Sequence, residues 1–284
     1  MTRCTLLLLT AAVQAAVRGN LPTSPPQQDT TRFVLASVTD GNGRPVVEVD
    51  LDDFVIREAG QPRDILTVHL ADYPVAIVLD NDGWADSDSE AIRRAIRRFV
   101  DRLGRRPVAV AATAPPRVVA TFDEDRERVL ERIDKLRKGR SPEGLLQALS
   151  TVARLVQDTG APFSAIVVVT ANFGGTVASE SLNSIVESGA IVHVVFQQKT
   201  SSRAGQTRRQ TGEGLMSLVN ETHGQFTTIN SADAYQAALD QQARQLATEL
   251  MMEYVVPAGA VKNARVQLGT RLSDVKVTFW GASR

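Results

Sequence analysis

The chain has 284 residues, with 32 basic and 32 acidic side chains, 43% hydrophobic residues, 5% aromatics and one cysteine. That length fits one to two domains, and the composition excludes wholesale disorder, collagen-like repeats and a coiled coil. A formal charge of zero argues against a dedicated nucleic-acid binder, whose affinity rests on neutralising phosphates.

In chain order, the first segment has a basic start at Arg3 and an apolar run from Leu6 to Val17, with small residues near Ala15. It reads as a secretory signal peptide over residues 1–15, cleaved after Ala15 or Ala16, and is too short to span a bilayer comfortably. Cys4 precedes the apolar run, which argues against a lipid-anchored cysteine. The mature chain is then cysteine-free, as suits a secreted or periplasmic protein with no integral membrane segment. Residues 16–30, with Pro22, Pro25 and Pro26, read as an extended linker.

Residues 31–72 read as an N-terminal β segment. Phe33 to Val38 is a predicted strand, Asp40-Gly41-Asn42-Gly43 a hairpin-type turn, and Val47, Val49 and Leu51 alternate as a second strand. Ile65 to Leu70 is a third. From Tyr73 the pattern changes to continuous apolar strands separated by helices, over residues 73–252. Strands are expected at Val75–Leu79, Val108–Ala112, Val118–Phe122, Ala165–Thr170, Ile191–Phe196 and Phe226–Ile229. The second and third are too close together to hold a crossover helix and should run antiparallel.

Helices are expected from Ile92 to Leu103, Asp123 to Leu136, Pro142 to Val156, around Leu182 to Glu187, Glu213 to Glu221 and Ala232 to Met252. The polar stretch Gln197 to Thr211 reads as a mobile loop. Strand alternation returns over 253–284, in Val266 and Leu268 and in Val275, Val277 and Phe279. The fold class is therefore α/β, a doubly wound and mainly parallel sheet, flanked by a small β module in which the N- and C-terminal segments pair.

Several residues together carry a resemblance. They are Asp80 closing the first apolar strand, Thr121-Phe122-Asp123, Gly139-Arg140-Ser141-Pro142 with Leu145 and Ala148-Leu149, and Val167-Val168-Val169-Thr170. In this order they resemble a von Willebrand factor A domain. Val38-Thr39-Asp40, Gly43-Arg44-Pro45-Val46, Asp53-Phe54 and Glu58-Ala59-Gly60 resemble the N-terminal segment of the bacterial "VWFA-related" family.

The resemblance implies an adhesion or scaffolding module with a metal-ion-dependent adhesion site at the carboxyl ends of the strands. In the intact pattern an Asp-x-Ser-x-Ser loop, a Thr and a further Asp hold magnesium. Here Asp80 is present, Asp82 and Trp84 occupy the two Ser positions, Ser141 the Thr position, and Ala171, beside Asn172, the later Asp position. The expected metal set thus reduces to Asp80, Asp82 and Ser141, a degenerate site with weak or absent Ca²⁺ or Mg²⁺ binding and no other cofactor.

The acidic stretch Asp80, Asp82, Asp86, Asp88 and Glu90 has two readings. One is a rearranged cation site; the other, favoured, is a solvated loop with helix-start carboxylates capped at Ser87 or Asp88. An EF-hand fits worse, because the turn glycine and final Glu are out of place. The arginines of the first helix read as its solvated face, and Trp280 as a partly buried aromatic at a sheet end.

No Gly-x-Ser-x-Gly elbow, phosphate-cradling glycine loop or His-Glu-x-x-His is present, and His69, His193 and His223 are far apart in sequence. The expected function is an exported, non-catalytic protein-interaction or adhesion module with an unknown protein partner and no nucleic acid. The alternatives are a hydrolase or other enzyme using an undetected site at the strand ends, or a structural subunit of an envelope assembly.

Overall fold

The computed structural model describes residues 29–82, 84–141, 143–171, 179–198, 213–261 and 264–283. The expected signal peptide, most of the linker, Asn172 and most of the polar stretch after Gln197 lie outside the described residues. No helix among the described residues is long and apolar enough to cross a membrane.

The elements are β1 (Thr30–Asp40), β2 (Phe54–Glu58), β3 (Gln61–Arg63), β4 (Ile65–Leu70), β5 (Val75–Leu79), α1 (Asp86–Arg102), β6 (Val108–Thr113) and β7 (Pro116–Ala120). They continue with α2 (Arg126–Asp134), α3 (Gly144–Gln157), β8 (Ala165–Thr170), α4 (Ser179–Glu187), β9 (Ile191–Gln197), α5 (Glu213–Glu221) and β10 (Phe226–Ile229). The chain closes with α6 (Ala234–Ala247), β11 (Leu250–Val256), β12 (Val266–Thr270) and β13 (Val275–Ala282).

Continuous apolar runs make β5, β6 and β8 buried along their whole length, as a strand covered on both faces must be. They form the centre of a six-stranded sheet in the order β10-β9-β8-β5-β6-β7. All neighbours run parallel except β6 and β7. Pleating sends Val75, Ile77 and Leu79 into one core with Ile92, Ile96 and Phe99 of α1 and Tyr235 and Leu239 of α6. Ala76 and Val78 enter a second core with Leu149 and Val152 of α3 and Leu215 and Leu218 of α5. Burying each large aliphatic side chain contributes roughly 1.5–3 kcal/mol, so this two-sided packing fixes the sheet.

The flanking β segments pair as the alternation implies. An antiparallel sheet has the order β13-β1-β11-β4, and a second has the order β12-β2-β3. Val34, Ala36 and Val38 of β1 face Phe54 and Ile56 of β2 in a third core. Leu35 and Met251 face the other way and join the core shared with α1 and α6. The four-stranded sheet thus lies between the three-stranded sheet and the α/β layers.

Three local expectations fail. Val46 to Asp50 forms no strand beyond the single bridge between Thr39 and Pro45. The returning chain meets β1 only at its end, where the Val46 amide donates to the Val38 carbonyl at 2.9 Å. Farther along that edge Thr30–Ala36 is taken by β11, and the other edge is taken by β13 along Val34–Asp40. The helix expected over Ala232–Met252 stops at Ala247, and Leu250 to Val256 is instead a strand between β1 and β4. Two-sided ladder pairing and burial of Met252 and Tyr254 outweigh the helix preference of Leu, Met and Glu. Finally, α1 starts at Asp86 behind Ala85 with no side-chain cap, so Ser87 and Asp88 lie inside its first turn. Asp86 and Asp88 still oppose the positive helix end there.

Candidate functional site

Parallel register sets Leu79 of β5 beside Ala112 of β6 and Val169 of β8. One residue further on, each apolar run ends in a polar side chain: Asp80, Thr113 and Thr170. The Thr113 hydroxyl donates to Asp80 Oδ1 at 2.8 Å and the Thr170 hydroxyl to Asp80 Oδ2 at 2.5 Å. The backbone amide of Asp82 approaches Oδ1 at 3.4 Å. Asp80 is 2% exposed. Burial raises its pKa from the usual carboxylate value, and the two hydroxyls and the Asp82 amide counter that rise in part.

Asn81 ties the same end of the sheet together. Its Oδ1 accepts from the amides of Thr113 and Ala114 at 3.1 and 2.8 Å, and its Nδ2 donates to the carbonyls of Ala114 and Arg137, both at 2.7 Å. The loop after α2 is drawn in closely, because the Gly139 amide donates to the Asn81 carbonyl at 3.1 Å. A Cβ on Gly139 would lie 2.3 Å from the Ala114 carbonyl oxygen, and one on Gly144 would lie 2.0 Å from that of Thr113. Only glycine permits this approach.

Asp80, Asp82 and Ser141 are brought together. Asp82 Oδ2 accepts from the Ser141 amide at 3.2 Å, and Asp82 bridges Gly139 in parallel fashion. Trp84 is buried in the α1 and α6 core, and Ala171 is buried beyond Thr170. Neither offers a side-chain oxygen. The donor set therefore fits octahedral Mg²⁺ poorly: both Asp80 oxygens already accept threonine hydroxyls, and Asp82 and Ser141 are the other expected ligands. Among the described residues no cluster of three or more His, Cys, Asp or Glu side chains is placed to hold a metal.

Sequence reasoning missed Thr113 and Asn81, and named Thr170 without a role. A signal was present, since the apolar strands end in Asp80, Thr113 and Thr170. Farther out, Glu90 pairs with the exposed Arg94 at 3.6 Å and with Arg93 at 3.3 Å, and Lys138 reaches Asp86 at 2.7 Å on the solvated side. Arg93, expected on the solvated face, is instead partly buried and donates to the Leu136 carbonyl at 3.2 Å.

The histidines do not join this network. His193 is buried in β9, and burial lowers its pKa to about 4. His69 lies in β4, with Nδ1 2.9 Å from the Leu70 carbonyl, and His223 lies past α5 with φ 57°.

A separate buried cluster lies where the chain passes between the layers. The Tyr73 hydroxyl donates to Glu249, and Arg106 stacks 4.2 Å from the Tyr73 ring centroid with its guanidinium 3.9 Å from Glu249. Burial raises the Glu249 pKa to about 7, against the lowering effects of Tyr73, Arg106 and Gln245.

With the sheet order and the loop geometry in hand, the chain resembles von Willebrand factor A domains. No protein-family model matches it, and no curated protein matches its sequence. Among solved structures it is similar to the D319A mutant of the PilB minor pilin from Streptococcus sanguinis, at 12% identity and a TM-score of 0.47 over 62% of each chain. It is also similar to the vWF domain of the type V pili tip protein Mfa5 from Porphyromonas gingivalis, at 9% identity and a TM-score of 0.45 over 61% of this chain and 94% of that one. The pilus adhesin SpaC from Lactobacillus rhamnosus GG matches at 11% identity and a TM-score of 0.45, over 81% of this chain and 47% of that one. The chain thus spans under two thirds of the length of PilB and about half that of SpaC.

Proposed function

We propose that the chain is an exported, non-catalytic protein-binding module of adhesion type, which meets its partner through the loops after β5, β6 and α2. The observation that carries this reading is the Asp80–Asn81 network. Its carboxylate and carboxamide are occupied in holding three loops in one fixed arrangement, which suits a preorganised contact surface. The adhesion site is degenerate, and Asp80, Asp82 and Ser141 bind Ca²⁺ or Mg²⁺ weakly or not at all. Export rests on the Arg3 start and the apolar run before Ala15.

The test is affinity capture from envelope and culture fractions with the wild type and a Lys138→Glu variant, alongside turnover assays on a broad substrate panel. The expected result is a partner retained by the wild type, lost by the variant, and no turnover. Turnover abolished by Asp80→Asn would refute the reading.

A further inference from the structure

At the amino-terminal end of the central sheet, opposite Asp80, an open cleft of about 630 Å³ lies between the α/β layers and the ends of β1 and β13. Helices α3, α4 and α5 all finish on it. Gly160, Gly189 and His223, each with positive φ just beyond one of these helices, line its wall. A helix C-terminus carries about half a negative charge, and here three converge. The exposed carboxylates of Glu187 and Glu221 add to them, and among the described residues no lysine or arginine lines the cleft.

Phe33, Phe163 and Trp280 give the remaining, otherwise small and aliphatic or polar, wall its aromatic surface. The indole is held in place, because Trp280 Nε1 donates to Ser37 Oγ at 2.8 Å. Negative potential beside aromatic faces is the environment that favours an organic cation with an apolar stem. Trp280 to Ser283 also belong to or directly follow β13, the outermost strand of its sheet, so an extended chain has a strand edge to lie along.

We propose that this cleft is a second binding site, taking a lysine or arginine side chain presented by an extended segment of a partner polypeptide. It is independent of the Asp80 surface, on the other end of the sheet.

The test follows tryptophan fluorescence, since Trp84 is buried and Trp280 lines the cleft. Acetylated and amidated Thr-Val-Lys-Val-Thr and Thr-Val-Arg-Val-Thr are titrated against the full chain, with a norleucine peptide of the same frame and n-butylammonium as further probes. The expected result is saturable binding of a basic peptide that weakens with salt and weakens about tenfold in a Glu187→Gln/Glu221→Gln variant. Lys138→Glu, at the other end, should leave it unchanged. Both replaced carboxylates are exposed, although Glu221 accepts from Ser217 at 3.0 Å, so the variant's melting temperature is checked first. Absence of binding by both basic peptides at millimolar concentration, or equal binding of the norleucine peptide, would overturn the proposal. So would equal affinity for n-butylammonium, which would move the site from polypeptides to free amines.

Discussion

Replacing His193 with leucine should steepen the stability profile between about pH 4.5 and 6.5, because it removes a contribution that opposes that of Glu249. The ring sits within β9, 1% exposed, and alternates with Ile191 and Val195 toward the α1 and α6 layer. Neither ring nitrogen has a hydrogen-bond partner among the described residues. Its pKa is lowered by burial from 6.5 to about 4. In the unfolded chain the ring takes a proton near 6.5, so its contribution is fully present above that pH and is lost as pH falls toward 4. The gap between the two values corresponds to about 3 kcal/mol.

Glu249 masks this in the wild type. Its pKa is raised by burial from 4.5 to about 7, so its contribution is fully present below 4.5 and is lost as pH rises toward 7, again by about 3 kcal/mol. The two slopes oppose each other between about pH 4.5 and 6.5, and the wild-type profile is correspondingly flat there. Urea unfolding of wild type and His193→Leu at pH 4 to 8 separates them. Relative to the wild type, the variant should gain about 3 kcal/mol on going from pH 7 to pH 4, whatever constant offset its packing adds. Parallel profiles would refute the assignment of a neutral, unpartnered ring.

Glu249→Gln should give the mirror image, losing about 3 kcal/mol less than the wild type between pH 4.5 and 7 in the same titration. Gly144→Ala should lower stability by about 2 kcal/mol or more, read as a drop in urea midpoint, because the added Cβ would lie 2.0 Å from the Thr113 carbonyl oxygen. EDTA or millimolar Mg²⁺ should move the melting temperature negligibly, since a ligand stabilises only above its dissociation constant. A clear Mg²⁺-dependent rise abolished by Asp80→Ala would show a working adhesion site.

The α/β part was legible because its strands are covered on both faces: runs such as Val75–Leu79 and Ala165–Thr170 admit one reading once helical periodicity lies between them. The flanking β segments were harder. Leu250 to Val256 continues a helical pattern without a glycine or proline to end it, and only its neighbours β1 and β4, some 180 or more residues earlier, make it a strand. Val47 and Val49 alternate as well as any strand does, yet alternation does not say whether a free edge exists. At the candidate site Asp80, Asp82 and Ser141 were legible from motif order. The partners of Asp80 were legible only as polar residues that close apolar runs; that Thr113 and Thr170 reach it is set by sheet register, which no local window contains.

The placement of β11 has a consequence for synthesis. Among the described residues β4 pairs only with β11, and β1, apart from the bridge between Thr39 and Pro45, only with β11 and β13. A chain made from its amino end therefore exposes the apolar strand Phe33 to Val38 with both edges open until residue 250 has emerged. At about 5–20 residues per second, the 180 residues separating Leu70 from its partner Leu250 take about 10 to 40 s. During that interval β1 offers its unpaired edges to any other nascent chain nearby. Truncations before Leu250 should accordingly be the forms most prone to aggregate, because they keep the early strands and discard the one that closes them.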